Sequence, residues 1–282
     1  MSILSKNNKF LIVALLILSP LIANATVVEI RTSLGTIEVN LFDSTTPETV
    51  DNFLSYVSTG RYASHVVHRA AETQAGEEFV IQGGGFLYTG PISTQVNFNL
   101  DPVVASSSVA NEPVLSNVRG TIAMAKVGGQ PNSATSQWFI NLSDSNASLD
   151  ANNGGFTVFG QVLGDGMQIV DAIAALNIYP GGGAFNEFPV RNINLAEFNA
   201  LAIQDRPPFD QDNVVLIEDI VVTDTAIDTN PNIIPVRNTR LNQPTTGGSA
   251  DSGGGGSLFW LTLVALCSMQ FRRCFNVIGP KI

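Results

Sequence analysis

Three short runs hold the residues able to do chemistry: His68-Arg69, then Phe79-Val80-Ile81-Gln82-Gly83-Gly84-Gly85-Phe86 ten residues on, and later Ser136-Gln137-Trp138-Phe139-Ile140. They set one arginine, two glutamines and several aromatics on what read as short strands. A fixed guanidinium beside an apolar slot and two amide side chains suits a neutral, ring-shaped group next to a peptide bond. Proline is the obvious such group.

Rotation about an X-Pro bond faces a barrier of roughly 18 to 20 kcal/mol set by amide resonance. Unaided, it takes tens to hundreds of seconds, on the order of minutes. Lowering that barrier needs no nucleophile, metal or cofactor. It needs a donor aimed at the amide nitrogen, which becomes pyramidal and basic once conjugation is lost, so that the hydrogen bond is stronger in the transition state than in the ground state. An arginine, always charged and donating from a rigid plane, is suited to that task.

In these runs the chain resembles the cyclophilin family of peptidyl-prolyl cis/trans isomerases, from about Val27 to Asp224 and most strongly between Leu34 and Ile173. Val67-His68-Arg69 stands where the family has Phe-His-Arg, which implies that Arg69 is the catalytic donor. Phe79, Val80 and Gln82 match the Phe-Met-x-Gln-Gly-Gly segment, with Val80 in place of methionine. Gln137 and Phe139 match Ser-Gln-Phe-Phe-Ile, with Phe139 as floor of the proline pocket. Leu149 and Phe156 match two further pocket positions, and Met124, in the Gly120 to Ala125 segment, joins the implied substrate-binding set. No metal or cofactor is implied, and the partners are proline-containing polypeptides. His68 and His65 receive no catalytic role.

The chain departs from the family between Arg69 and Phe79, where about five extra residues fall in Ala70 to Glu78 beside the proposed site. Such a loop either alters substrate choice or displaces Arg69. Two functions therefore stay open: an isomerase acting on exported chains, and a catalytically weak or inactive module that binds proline-containing segments. Ser148 stands where a larger aromatic is usual beside Leu149. Asp150 to Gly154 lacks the closing glutamate of a calcium loop and reads as a turn.

The elements expected to position these residues are mostly strands. Val27 to Leu41 alternates around a Leu34-Gly35 turn as a hairpin. Thr46-Pro47 opens a helix carried by Val50, Phe53, Leu54 and Val57 up to Gly60. Strands are expected at Val66 to Arg69, Phe79 to Gln82, Gly120 to Ala125, Trp138 to Leu142, Thr157 to Val162 and Val214 to Val222, with a second helix over Gly166 to Leu176. The fold class expected is mainly β, a closed antiparallel eight-stranded cyclophilin-like barrel capped by two α-helices.

The two ends of the chain read differently. Lys6 and Lys9 before the apolar Phe10 to Ile22, closing on Ala23-Asn24-Ala25, have the order of a secretory signal peptide over 1–25. The body follows at 26–224, a Thr/Asn/Pro/Gly-rich spacer at 225–256, and a hydrophobic tail with a basic stop at 257–282. The apolar part of that tail, roughly 14 residues, is shorter than the ~20 a spanning helix needs. Its layout is similar to the GlyGly-CTERM tails cut by rhomboid-type proteases, and a simple C-terminal anchor is the other reading. Both place the body outside the cytoplasm, in the periplasm, at the cell surface or secreted, with membrane contact only through the tail. Both cysteines, Cys267 and Cys274, lie in or beside that tail.

All 24 acids but only nine of the 14 bases fall between the hydrophobic ends, leaving the body near −15. That balance argues against nucleic acid, whose phosphates need clustered cations. A self-repelling surface of this kind goes with a monomer.

Overall fold

The computed structural model describes residues 26–225 and 233–241. The leader-like segment 1–25 and the tail 257–282 lie outside the described residues. Among the described residues no helix is long and apolar enough to cross a membrane.

The chain runs β1 (Val27–Thr32), β2 (Gly35–Leu41), α1 (Pro47–Ser58), β3 (His65–Val66), β4 (Arg69–Glu72), β5 (Glu78–Gly83), β6 (Phe86–Leu87), β7 (Asp101–Pro102), β8 (Thr121–Met124) and β9 (Trp138–Asn141). Then come β10 (Val158–Val162), α2 (Gly166–Ala174), β11 (Asn177–Tyr179), β12 (Phe188–Val190), α3 (Leu195–Ala200) and β13 (Leu216–Asp224), with short 3-10 turns between. Eleven strands form one antiparallel sheet in the order β4-β5-β9-β8-β10-β2-β1-β13-β3-β6-β7.

β3 and β4 are two halves of one bent stretch, residues 65–72. The first half pairs with β13 at Val66 and Leu216, the second with β5 at Arg69 and Gln82. At the bend the Val67 N–H donates to the Val215 carbonyl at 3.0 Å and the His68 N–H to the Gln82 carbonyl at 3.1 Å. The sheet therefore curls until its two ends meet in a single run of chain, and eight segments make the ring, which is the mainly β architecture expected. The strand count is higher because the bend divides one strand in two, β6 and β7 extend the sheet past β3, and β11 with β12 forms a separate hairpin.

Strand alternation explains the core. Val28 and Ile30 on β1, and Ile37, Val39 and Leu41 on β2, share one apolar cluster with Val50, Phe53 and Tyr56 of α1 and Val170 and Ile173 of α2. Each such side chain, fully withdrawn from water, contributes about 1.5 to 3 kcal/mol. Pro47 opens α1, where its missing N–H costs nothing. The N–H groups of Glu48 and Thr49 donate to the Glu112 carboxylate from a distant loop, so the helix start is capped from outside its own sequence.

A third helix, α3, and the β11–β12 hairpin were not expected. They belong to a second cluster in which Phe98, Tyr179, Phe185, Phe188, Phe198 and Phe209 pack on one another. Aromatics scattered over short elements and loops between 98 and 209 carry no periodicity, so nothing local in the sequence marks them as one core.

Of the two expectations for the inserted loop, altered substrate choice or displacement of Arg69, the backbone pairing bears on the second. Ala70 pairs with Ile81 and Ala71 with Val80, so the extra residues lengthen a hairpin whose turn is closed by the Thr73 N–H on the Glu77 carbonyl at 2.7 Å. The insertion is carried outward, and Arg69 keeps its partner Gln82.

His65 and His68 are both fully enclosed, and burial pushes their pKa values down to about 4 and about 3, the Arg69 cation adding to the effect on His68. Both are neutral in the folded protein, whereas the unfolded chain binds protons near the ordinary value of about 6.5. Below that pH the unfolded state gains protons that the native state refuses. Stability is therefore present above about 6.5 and declines as pH falls towards 4, by at most about 1.4 kcal/mol per pH unit for each histidine. Urea denaturation between pH 7 and 4 should show that decline, and His68→Phe should flatten it; an identical slope in the variant contradicts the assignment.

Candidate active site

Arg69 sits directly opposite Gln82 in the β4–β5 ladder, and Gln82 opposite Phe139 in the β5–β9 ladder. Directly opposed residues project from the same face, roughly 5 Å apart. One lateral row across three strands thus carries a cation, an amide and an aromatic ring. Arg69 is 4% exposed and Gln82 2%, so the row is shielded from solvent. Gln82 Nε2 donates to Gln137 Oε1 at 2.8 Å, joining the two amides expected from the sequence.

The glycine run explains why Gln137 stands there. A Cβ on Gly84, whose φ is +75°, would lie 2.5 Å from the Ser136 carbonyl oxygen, and one on Gly85 would lie 2.9 Å from Gln137 Cδ. Only a chain without side chains at these points lets the segment before β9 approach β5 so closely. Gly83 to Gly85 is a spacing device between two strands.

The residues expected to line the apolar slot lie beside this row. Val80, Phe139, Leu149 and Phe156 belong to one buried cluster, with Phe79 packed on its edge. Phe139 and Phe156 meet edge to face, ring centres 5.7 Å apart. Ile233, from the stretch read as spacer, also packs against this cluster. Phe139, Leu149 and Phe156 are only 3 to 5% exposed.

Met124 does not belong to this set. It lies in the barrel core, paired with Trp138 and wholly buried. Side chains alternate along a strand, so its neighbours Ala123 and Ala125 face the slot instead. The remaining residues implied by resemblance, Arg69, Phe79, Val80, Gln82, Gln137, Phe139, Leu149 and Phe156, are brought together.

Two carboxylates beside the site have no signal in the motifs. Glu187, just before β12, accepts a hydrogen bond from Arg69 Nε, and its carbonyl accepts the Ala70 N–H at 2.8 Å. Burial lowers the Arg69 pKa, and the Glu187 charge raises it again. The second is Asp150, 1% exposed, whose Oδ1 accepts from the Asn117 N–H at 2.7 Å and Nδ2 at 3.0 Å while Oδ2 accepts from Ser116. Asn117 Nδ2 also reaches the Phe156 carbonyl at 3.2 Å, and the Phe156 N–H the Leu149 carbonyl at 3.1 Å. Asp150, at the head of the turn considered as a calcium loop, thus forms with Ser116 and Asn117 a buried polar knot behind Leu149 and Phe156. Lys126 braces it from the other side: Nζ donates to the Asn153 carbonyl at 3.0 Å and lies 4.8 Å from the Phe156 ring centre. Burial pushes its pKa down to about 8. Among the described residues no cluster of potential metal ligands occurs.

Residues 27–199 match the family described as cyclophilin type peptidyl-prolyl cis-trans isomerase. A peptidyl-prolyl cis-trans isomerase of Acinetobacter baylyi is 39% identical over 163 residues, covering 57% of this chain and 77% of the relative. Peptidyl-prolyl cis-trans isomerase B of Escherichia coli is 39% identical over 150 residues, 52% of this chain and 82% of its own. A cyclophilin-type isomerase of Cryptosporidium parvum, solved in the presence of the dipeptide Ala-Pro, aligns with 71% of this chain and 99% of its own at a TM-score of 0.45 and 21% identity.

Glu187 meets the row only through Arg69, so any effect it has on turnover would come from holding the guanidinium. A hydrogen bond to a charged group is worth about 1.5 to 3 kcal/mol, so Glu187→Ala should lower kcat/KM roughly tenfold or more with the fold intact by circular dichroism. Glu187→Gln, which keeps an acceptor without the charge, should recover part of that loss. Full activity in Glu187→Ala would show that the arginine is held without it.

Proposed function

The chain belongs to the cyclophilin-type peptidyl-prolyl cis-trans isomerase family, and we propose that Arg69 is its catalytic donor and that its clients are exported polypeptides still folding. The observation that supports this most directly is the row Arg69, Gln82 and Phe139 beside an apolar slot. A proline ring seated on Phe139 and Leu149 leaves its imide within the reach of the Arg69 guanidinium. As the X-Pro bond twists, the nitrogen lone pair is freed and accepts a hydrogen bond from that cation. The Gln82–Gln137 pair offers an amide edge for the client's backbone. Because Arg69 is shielded from water, the bond formed in the twisted state is stronger than it would be in solvent.

Export rests on the leader-like 1–25 and the tail at 257–282, which also suggests a sorting protease of the rhomboid type as a partner. The acidic surface suits a dispersed monomer outside the cytoplasm.

A protease-coupled assay on an Ala-Pro peptide tests the chemistry. Arg69→Ala should lose roughly a hundredfold or more in kcat/KM, the usual cost of removing a placed donor. Arg69→Lys should recover little, since an ammonium does not reproduce the planar fork. Binding of peptide with no rate gain in the wild-type protein would instead identify a non-catalytic proline-binding module. Mass spectrometry of the mature chain should find an N-terminus near Thr26 and a C-terminus before the apolar tail; an intact tail would favour the anchor.

A further inference from the structure

We infer that residues 233–241 are an in-cis ligand of the substrate site: a stretch of the chain's own sequence lies along the path of a client and seats Ile233 against the apolar slot. The inference deepens the reading of that slot as the proline pocket and rests on it.

The main chain of the segment is held as an added strand would be. The Ser116 N–H donates to the Val236 carbonyl at 2.8 Å, the Asn238 N–H to the Val114 carbonyl at 3.0 Å, and Leu115 and Arg237 form an antiparallel bridge. Backbone pairing at an exposed edge supplies affinity without reading sequence, while side-chain pockets supply the choice. Alternation supplies the second element. Ile233 and Pro235 are half-buried, whereas Ile234 is 87% and Val236 54% exposed. Ile233 is the residue turned to the cluster that contains Phe139, Leu149 and Phe156.

Asn238 fixes the register. Its Nδ2 donates to the Pro113 and Asp150 carbonyls, both at 2.9 Å. Asp150 is the residue whose carboxylate ties the slot's walls together, so the clamp on the segment and the frame of the pocket meet at one residue.

The residue turned to the cluster is not itself a proline, the segment's proline standing two places on at Pro235. Ile233 is preceded by asparagine, so the bond entering it is a secondary amide with a strong trans preference, not an imide. Its β-branched side chain offers the cluster an apolar surface without an imide of its own. Only eight residues separate the end of β13 at Asp224 from Ile233. A tether that short gives an effective concentration on the order of millimolar, so weak intrinsic affinity suffices to keep the site mostly filled. A client must displace the segment, and its apparent affinity falls by the fraction of sites that are open.

The test uses full-length protein. Ile233→Asp places a carboxylate against the apolar cluster and should raise kcat/KM on an Ala-Pro peptide about fivefold through a lower KM, with kcat unchanged. Asn238→Ala, which removes three side-chain hydrogen bonds and adds no charge near the slot, should move KM the same way by a smaller factor and guards against misfolding of the first variant. A synthetic peptide of residues 233–241, titrated calorimetrically, should bind Ile233→Asp and give no heat with the wild type. An unchanged or raised KM in both folded variants, or failure of the peptide to bind Ile233→Asp, overturns the inference. Absence of turnover in every form would remove the isomerase reading, and the titration would still decide whether 233–241 is a ligand.

Discussion

A guanidinium taken out of water needs compensation, and much of the molecule around the site can be understood as arranging it for Arg69. The side chain lies almost wholly within the protein, on the face that it shares with Gln82 and Phe139. The cost of withdrawing the charge is offset by Glu187, a carboxylate that keeps one edge in solvent. Pairing at the Nε edge stabilises the cation and fixes the plane of the fork at the same time, which is the property that separates arginine from lysine in this role. A neutral His68 next in sequence is the necessary counterpart, since a second positive charge there would oppose the first.

The barrel supports this through its closure. Because 65–72 is at once the first and last segment of the ring, the residue at its bend cannot move without breaking pairs on two different strands. The glycine run then lets β9 lie close enough for the two glutamines to meet. Rigidity here comes from backbone pairing and from one close approach, and the buried polar knot around Asp150 performs the same service for Leu149 and Phe156.

What was legible in the sequence follows from locality. The β1–β2 hairpin, both early helices and the strands carrying the site have short-range periodicity and clear turn residues, and the structure returns them within a few residues. The site row was legible too, because three motifs state it directly. Met124 was misplaced because a motif gives proximity in sequence, whereas the pleat decides which face a side chain takes. Glu187 and Asp150 had no such signal: each acts across more than thirty residues of chain, and an isolated carboxylate in a loop looks like any solvated one. The annex of Phe98, Tyr179, Phe185 and Phe188 was hidden for the same reason, and the docking of 233–241 was hidden by a composition that reads as spacer.

That annex has a consequence for how the protein responds to heat. Glu187 stands between Phe185 and Phe188, on a small aromatic core that is separate from the barrel's own. The carboxylate beside Arg69 is therefore mounted on this annex, which joins the ring of strands through Val66 and Val214. Heat that loosens these rings would slacken the grip on the guanidinium, because Phe185, two residues from Glu187, also packs on His68 beside Arg69.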